Sequence, residues 1–151
     1  LRLYYSPLSS TARRARMTAV QLGLPVDLVL VDLLRSEHRA PEFLRKNRNG
    51  LVPVLEDGDL TLTESHAIMQ YLADKTPGQA LYPQELAARA DVNRWLFWNA
   101  SHVQPAVSVL NWEHVVKPLI GLGTAVPVPS WWVWPVMAKN CEPASEAGSV
   151  K

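Results

Sequence analysis

The residues whose types and spacing best suit them for chemistry stand between positions 51 and 68. Leu51-Val52-Pro53-Val54-Leu55 leads into Asp57-Gly58 and then into Thr63-Glu64-Ser65-His66-Ala67-Ile68. Proline has no N–H to give a sheet ladder and is tolerated at a strand's start or edge. An X-Pro bond is also the one place where a cis peptide is cheap. Glu64 and Ser65 open a helix, so a hydroxyl and unpaired backbone N–H groups stand where an anion docks. Together these features predict a site for an extended, acidic, peptide-like ligand. The plainer readings are a hairpin proline at a strand start and a capped helix. A second set, Ser9, Ser10 and Thr11, consists of good N-cap types before another helical stretch. His102 and His114 stand alone on a helix, and no Cys, His and carboxylate cluster has metal-ligand spacing, so no metal is expected.

The elements that must hold these residues follow from punctuation and periodicity. Leu3-Tyr4-Tyr5 favours a strand and is ended by Ser6-Pro7. The helix behind Ser9–Thr11 runs to about residue 22, where Gly23 stops it and Pro25 follows. The β-branched, apolar run 26–31 predicts a second strand, completing a right-handed βαβ unit. Pro41 begins a short helix over 41–45. Asp57-Gly58 joins strands 52–56 and 60–62 in a hairpin. A helix over 64–75 closes the unit, with Ala67, Ile68, Tyr71 and Leu72 on one face. The order is βαβ-α-ββα. Thr76-Pro77-Gly78-Gln79 breaks this pattern, and from Glu85 to about Lys117 the chain is helical in character, with Pro105 expected to kink or break it.

Composition narrows the function classes. The 151 residues suffice for one ordinary domain, or a small domain with part of another. Hydrophobic residues make up 48% and charged residues 19%, a globular balance. A net charge of +1 gives no field for a polyanion, so no nucleic-acid partner is expected. The single cysteine, Cys141, excludes an internal disulfide framework and a CxxC redox motif. No apolar run approaches the ~20 residues that span a bilayer. The strand-like opening predicts no secretory signal, so a cytoplasmic location is expected. Residues 124–151 differ in kind: Trp131, Trp132 and Trp134 are half of the six Trp, and Pro127, Pro129, Pro135 and Pro143 recur too often for a helix. An irregular tail, a splice or frame change replacing a helical segment, and a Trp-rich binding patch are the readings open there.

The motifs Leu3-Tyr4-Tyr5-Ser6-Pro7-Leu8-Ser9-Ser10-Thr11-Ala12-Arg13, Pro41-Glu42-Phe43-Leu44, Asn47 through Gly58, and Leu62 through Leu72 resemble, in order, the N-terminal domain of the cytosolic glutathione S-transferases. The theta and delta classes and their bacterial relatives are nearest. The resemblance continues through Tyr82-Pro83 and Ala88-Arg89-Ala90 to Trp98 and fades near Gly123. It implies an α/β fold: a thioredoxin-like glutathione-binding domain over residues 1–76, a partial all-helical C-terminal domain over 84–123, and a divergent tail over 124–151. It also implies glutathione as co-substrate and a hydrophobic electrophile as its reaction partner. A homodimer is implied where the helical domain is intact.

Residue by residue, the resemblance assigns Ser9 to catalysis, because the family's catalytic serine lies four residues before an arginine and Ser9 stands so before Arg13. Ser10 is the alternative. Val52 and Pro53 resemble the cis-proline segment whose backbone pairs with the cysteinyl residue of glutathione, like an added strand. Glu64 and Ser65 resemble the pair that grips the γ-glutamyl end, and His66 follows them, either touching that group or exposed on the first helical turn. His38 lies where relatives often place a basic residue near the glycine carboxylate. Gly50 and Leu51 stand where many relatives carry Lys or His, which leaves that contact to His38, Arg35 or Arg39.

The chemistry is physically reasonable. The thiolate, not the thiol, is the nucleophile, and a free thiol has a pKa of about 8.5. One hydroxyl donor at a helix N-terminus supplies the needed stabilisation. A glutathione-conjugating transferase is therefore the expected function. The alternatives are a non-catalytic glutathione-binding module and a thioredoxin-fold redox protein. The last is disfavoured because no cysteine lies near residues 9–13.

Overall fold

A computed structural model describes residues 1–123 of the chain. The expectations for 124–151 lie outside the described residues. The chain divides into two compact units, Leu1–Val92 and Asn93–Lys151.

The first unit is built on a four-stranded mixed sheet in the order β2-β1-β3-β4. β1 (Arg2–Tyr5) pairs in parallel with β2 (Asp27–Leu30), and the connection passes through α1 (Ser10–Gln21). β1 pairs antiparallel with β3 (Val54–Asp57), placing Leu3 opposite Leu55. β3 turns through Gly58-Asp59, one residue later than expected, into β4 (Leu60–Thr63), with Asp57 paired to Leu60 and Gly58 at φ +57°. A short α2 (Pro41–Leu44) precedes β3, and α3 (Ser65–Lys75) follows β4. This is the thioredoxin-like βαβ-α-ββα order that the punctuation predicts.

Strand alternation separates two apolar clusters. Leu3 and Leu55 pack with Ala15 and Ala19 of α1 and with Ile68 and Leu72 of α3. Tyr4 and Val54 pack with Val31, Phe43, Val52 and Ala12. Leu3, Leu55, Ile68 and Leu72 are fully buried. Removing water from side chains of this size contributes roughly 1.5–3 kcal/mol each. That packing holds both helix N-termini, at Ser9 and at Glu64, to one sheet.

Two strands differ from expectation in extent. β2 is shorter than 26–31 and largely exposed, because it is an edge strand with β1 as its single neighbour. β3 begins at Val54 rather than Val52, since Pro53 has no N–H for the ladder. The stretch after α3 is tied down. Tyr82 is buried, Gln79 bonds its backbone at both N–H and C=O, and Arg89 donates to Asp74 at 2.7 Å while lying over the Tyr82 ring.

From Leu86 onward the chain is helical. α4 (Leu86–Trp98), α5 (Gln104–Asn111) and α6 (Lys117–Leu119) are joined by two wider π-type turns, Asn99–Val103 and Trp112–Val116. Pro105 does not break the helix as expected. It sits in the first turn of α5, directly after the wider π-type turn Asn99–Val103, and the helical backbone continues through it. Among the described residues of the second unit none is buried. Trp95 and Trp98 meet edge to face at 5.4 Å, and Lys117 pairs with Glu113 one turn away at 2.6 Å.

Candidate active site

Ser9 lies between β1 and α1 in extended conformation, with its N–H bonded to the Ser6 carbonyl at 3.1 Å. Its Oγ accepts the Ala12 N–H at 3.1 Å, so it is the N-cap of α1. Arg13, four residues on, donates to the Pro7 carbonyl at 3.5 Å and so braces the turn rather than touching the Ser9 hydroxyl. Ser10 is the first residue of α1. The N-cap role does not exhaust Ser9. Its Oγ also stands 2.8 Å from Thr11 Oγ1 and 3.5 Å from the Val52 carbonyl oxygen. Thr11 Oγ1 donates to the same carbonyl at 3.0 Å. Two hydroxyls at a helix N-terminus are thereby gathered on the backbone of the segment predicted to take an extended ligand.

That segment has the expected geometry. The Val52–Pro53 bond is cis, and both residues are buried. The loop before it is shaped by Asn47, to which the motif reading gave no role. Buried Asn47 donates through Nδ2 to the Leu51 carbonyl at 2.7 Å and accepts the Asn49 N–H at 3.0 Å. An Asn two residues before an Asn and three before a Gly signals such an Asx-type turn. Gly50 has φ +61°, and a Cβ there would meet the His38 carbonyl at 3.0 Å. Glycine is thus required for both conformation and space.

The same approach sets the turn Glu37–Arg39 against the loop. His38 Nδ1 in that turn is buried and has no hydrogen-bond partner. Burial lowers the His38 pKa, and the neighbouring Arg39 charge lowers it further. A neutral imidazole with an unused polar atom is the result. Buried polar groups are otherwise almost always satisfied.

At the second helix N-terminus, Glu64 has φ +66° and ψ 115°, a backbone state that non-glycine residues rarely adopt. Its side chain makes no capping bond and is exposed, so the capping-box reading does not describe it. Ser65 is buried as the first residue of α3. His66 is not exposed on its turn. It is half-buried against α1, where Arg14 Nη1 stands 2.6 Å from its Nε2. Arginine has only donors, so in this contact His66 Nε2 is the acceptor. Burial pushes the Arg14 guanidinium pKa down from its usual value. The pairing follows from the packing of α1 on α3, which sequence periodicity does not specify.

An open groove of about 390 Å³ lies at the start of β1, the end away from Ser9, lined by Leu1, Arg2, Asp27, Glu56 and Gly58. Its charges are matched within the protein: Arg2 lies 3.4 Å from Asp27 and 3.6 Å from Glu56, and Tyr4 donates to Glu56 at 2.8 Å. Lys46 also bonds Glu56 and holds that carboxyl below its ordinary range. Such a groove has little left to offer a ligand. Among the described residues no group of three or more His, Cys, Asp or Glu is placed to hold a metal. No described helix is long and apolar enough to cross a membrane.

Comparison with known proteins bears on the same region. A family model described as Glutathione S-transferase, N-terminal domain, matches residues 3–80. Glutathione S-transferase theta-2 of Homo sapiens is 40% identical over 124 residues, covering 81% of this chain and 50% of the relative. Glutathione S-transferase F10 of Arabidopsis thaliana is 38% identical over 119 residues, covering 78% of this chain and 55% of the relative. Among solved structures, human glutathione transferase theta-2, in complex with glutathione and an unknown ligand, superposes with a TM-score of 0.80 at 34% identity. It covers 91% of this chain and 57% of that one. The chain therefore spans about half the length of the curated relatives it matches.

Proposed function

Because this chain belongs to the glutathione S-transferase family, we propose that residues 1–76 bind glutathione and that Ser9 activates its thiol for attack on an electrophilic small molecule. The observation that carries this reading is the convergence of Ser9 Oγ, Thr11 Oγ1 and the Val52 carbonyl within 3.5 Å beside the cis-proline segment. A tripeptide paired along Val52 through its cysteinyl residue sets sulfur beside Ser9. Its γ-glutamyl carboxylate then meets the Ser65 N–H and hydroxyl, with Glu64 facing the amine and His66 beside them, held by Arg14. Its glycine carboxylate meets the neutral His38 ring. The thiol proton leaves to solvent, the Ser9 hydroxyl donates to the thiolate, and sulfur forms a bond to carbon as the leaving group departs with its electron pair. No metal takes part in these steps.

Residues 84–123 are a partial helical domain in this assignment. By the same family reading the whole protein acts as a cytoplasmic homodimer in detoxification of hydrophobic electrophiles. A second reading has one observation in its favour. No described residue after Val92 is buried, which suits a glutathione-binding module without turnover.

Conjugation of glutathione to a generic aryl halide separates the two, with retention on immobilised glutathione measured beside it. Transferase chemistry predicts turnover that falls about a hundredfold in Ser9→Ala, the scale of removing one oriented donor, with retention nearly unchanged. If Ser10→Ala shows that loss instead, catalysis moves to Ser10. Retention without turnover leaves the binding module.

A further inference from the structure

The three oxygens at the head of α1 hold more acceptors than protons, and that shortage has a functional use. Ser9 and Thr11 bring one hydroxyl proton each, and a hydroxyl oxygen can donate only once. Thr11 donates to the Val52 carbonyl at 3.0 Å, which leaves the Ser9 proton to the 2.8 Å contact with Thr11 Oγ1 or to its own longer 3.5 Å contact with the same carbonyl. Either way the Ser9 proton is engaged within the protein and none is left for a sulfur. The Ser9 lone pairs meanwhile hold the Ala12 N–H at 3.1 Å.

We infer that Thr11 is a positioning residue that hands the Ser9 proton to the thiolate when glutathione binds. The inference rests on the proposed pairing of the cysteinyl residue with Val52. An amide N–H arriving at the Val52 carbonyl gives that oxygen a new partner. Thr11 then rotates its hydroxyl and donates to Ser9 Oγ, which lies within reach without any backbone movement. Ser9, now accepting from Thr11 and Ala12, donates its own proton to sulfur. A hydroxyl that accepts hydrogen bonds is a stronger donor, since bonds in a chain polarise one another. Peptide recognition at Val52 and thiolate stabilisation at Ser9 are thus linked through one side chain. Thr11 itself touches neither sulfur nor electrophile.

The test is the pKa of the glutathione thiol in its binary complex with the full 151-residue chain, read by ultraviolet thiolate absorbance against pH. Thr11→Val keeps the shape and removes the hydroxyl, and Thr11→Ser restores the hydroxyl. The inference expects Thr11→Val to raise the bound thiol pKa by about half a unit to one unit, the size of one modest hydrogen bond. Turnover at neutral pH falls roughly three- to tenfold in step. The glutathione dissociation constant stays within about twofold, and Thr11→Ser recovers the wild-type pKa. An unchanged thiol pKa in Thr11→Val overturns the inference. So does a raised pKa that Thr11→Ser fails to restore, which assigns Thr11 to packing. If Thr11→Val does not fold, Thr11→Ser alone decides: a pKa shifted from wild type overturns the idea, and an unshifted pKa upholds the hydroxyl. A wild-type complex that binds glutathione without lowering its thiol pKa overturns the activation reading itself, and this inference with it.

Discussion

The first unit of this chain buries residues on both faces of its sheet, whereas the described part of the second buries none. In Leu1–Val92, helices α1 and α3 share one closed apolar cluster, and the linker after α3 is fastened by Tyr82 and by the Asp74–Arg89 pair. From Asn93 onward Trp95, Phe97, Trp112 and Leu119 remain exposed. Helices of that apolar content acquire stability from partners rather than from propensity. The difference teaches that the proposed glutathione site stands on a unit held by its own packing, whereas the described helices from Asn93 onward bury no residue that would fix them.

The sharpest way to break this comparison is by cavity. Leu72→Ala empties a fully buried site in the first unit and is expected to lower unfolding free energy by about 2–5 kcal/mol. Phe97→Ala, at a position 69% exposed, is expected to change it by about 0.5 kcal/mol or less. Urea unfolding of both variants measures the pair. A comparable loss from Phe97→Ala means the helical segment has a core that its exposure does not reveal.

A smaller effect sharpens the comparison at the binding site. Ser65→Ala is expected to raise the glutathione dissociation constant roughly tenfold, about one charge-assisted hydrogen bond. Calorimetric titration reads it. Affinity unchanged in both Ser65→Ala and Glu64→Ala would leave these residues as the helix's opening and nothing more.

The smallest effect is in pH. His38 has its folded pKa lowered by burial and then by Arg39. The unfolded chain therefore takes up the proton first as pH falls below about 6.5. Stability from this group is full above that value and declines as pH drops toward the lowered folded pKa. Urea midpoints between about pH 7.5 and pH 5 are expected to fall with a slope that His38→Gln reduces. Equal slopes in both proteins would leave the decline to other groups.

Much of this architecture is legible in the sequence, for local reasons. Ser9-Ser10-Thr11 before an apolar-periodic run marks a helix start, and Asp57-Gly58 between β-branched residues marks a hairpin. Both elements are present, the helix start where expected and the hairpin turn one residue later, at Gly58-Asp59. The cis Val52–Pro53 bond was also readable in type, whereas the helix expected over 64–75 begins one residue later, at Ser65, with Glu64 outside it at positive φ. What was not legible depends on elements meeting. Arg14 and His66 are 52 residues apart and touch only because α1 lies on α3. Thr11 and Val52 are 41 residues apart, and their bond requires the sheet order itself. The run 26–31 reads as a strand by composition, and its place at the sheet edge is set by topology. Pro105 reads as a breaker and is tolerated because it falls in the first turn after a π-type turn.

The unfavourable backbone of Glu64 carries a consequence for how this chain can be improved. A residue held at φ +66° and ψ 115° costs on the order of 1–3 kcal/mol, and glycine at a helix's N-cap releases much of it. Glu64→Gly is thus expected to raise the melting temperature while weakening glutathione binding, and the two measurements belong together. A library screened for thermal survival alone would enrich that substitution and discard the proposed ligand contact unnoticed. A variant that gains stability without losing affinity would show the strain to be idle. Natural proteins sit just above the stability they need, so a costly residue persists only where selection weighs something other than survival of the fold.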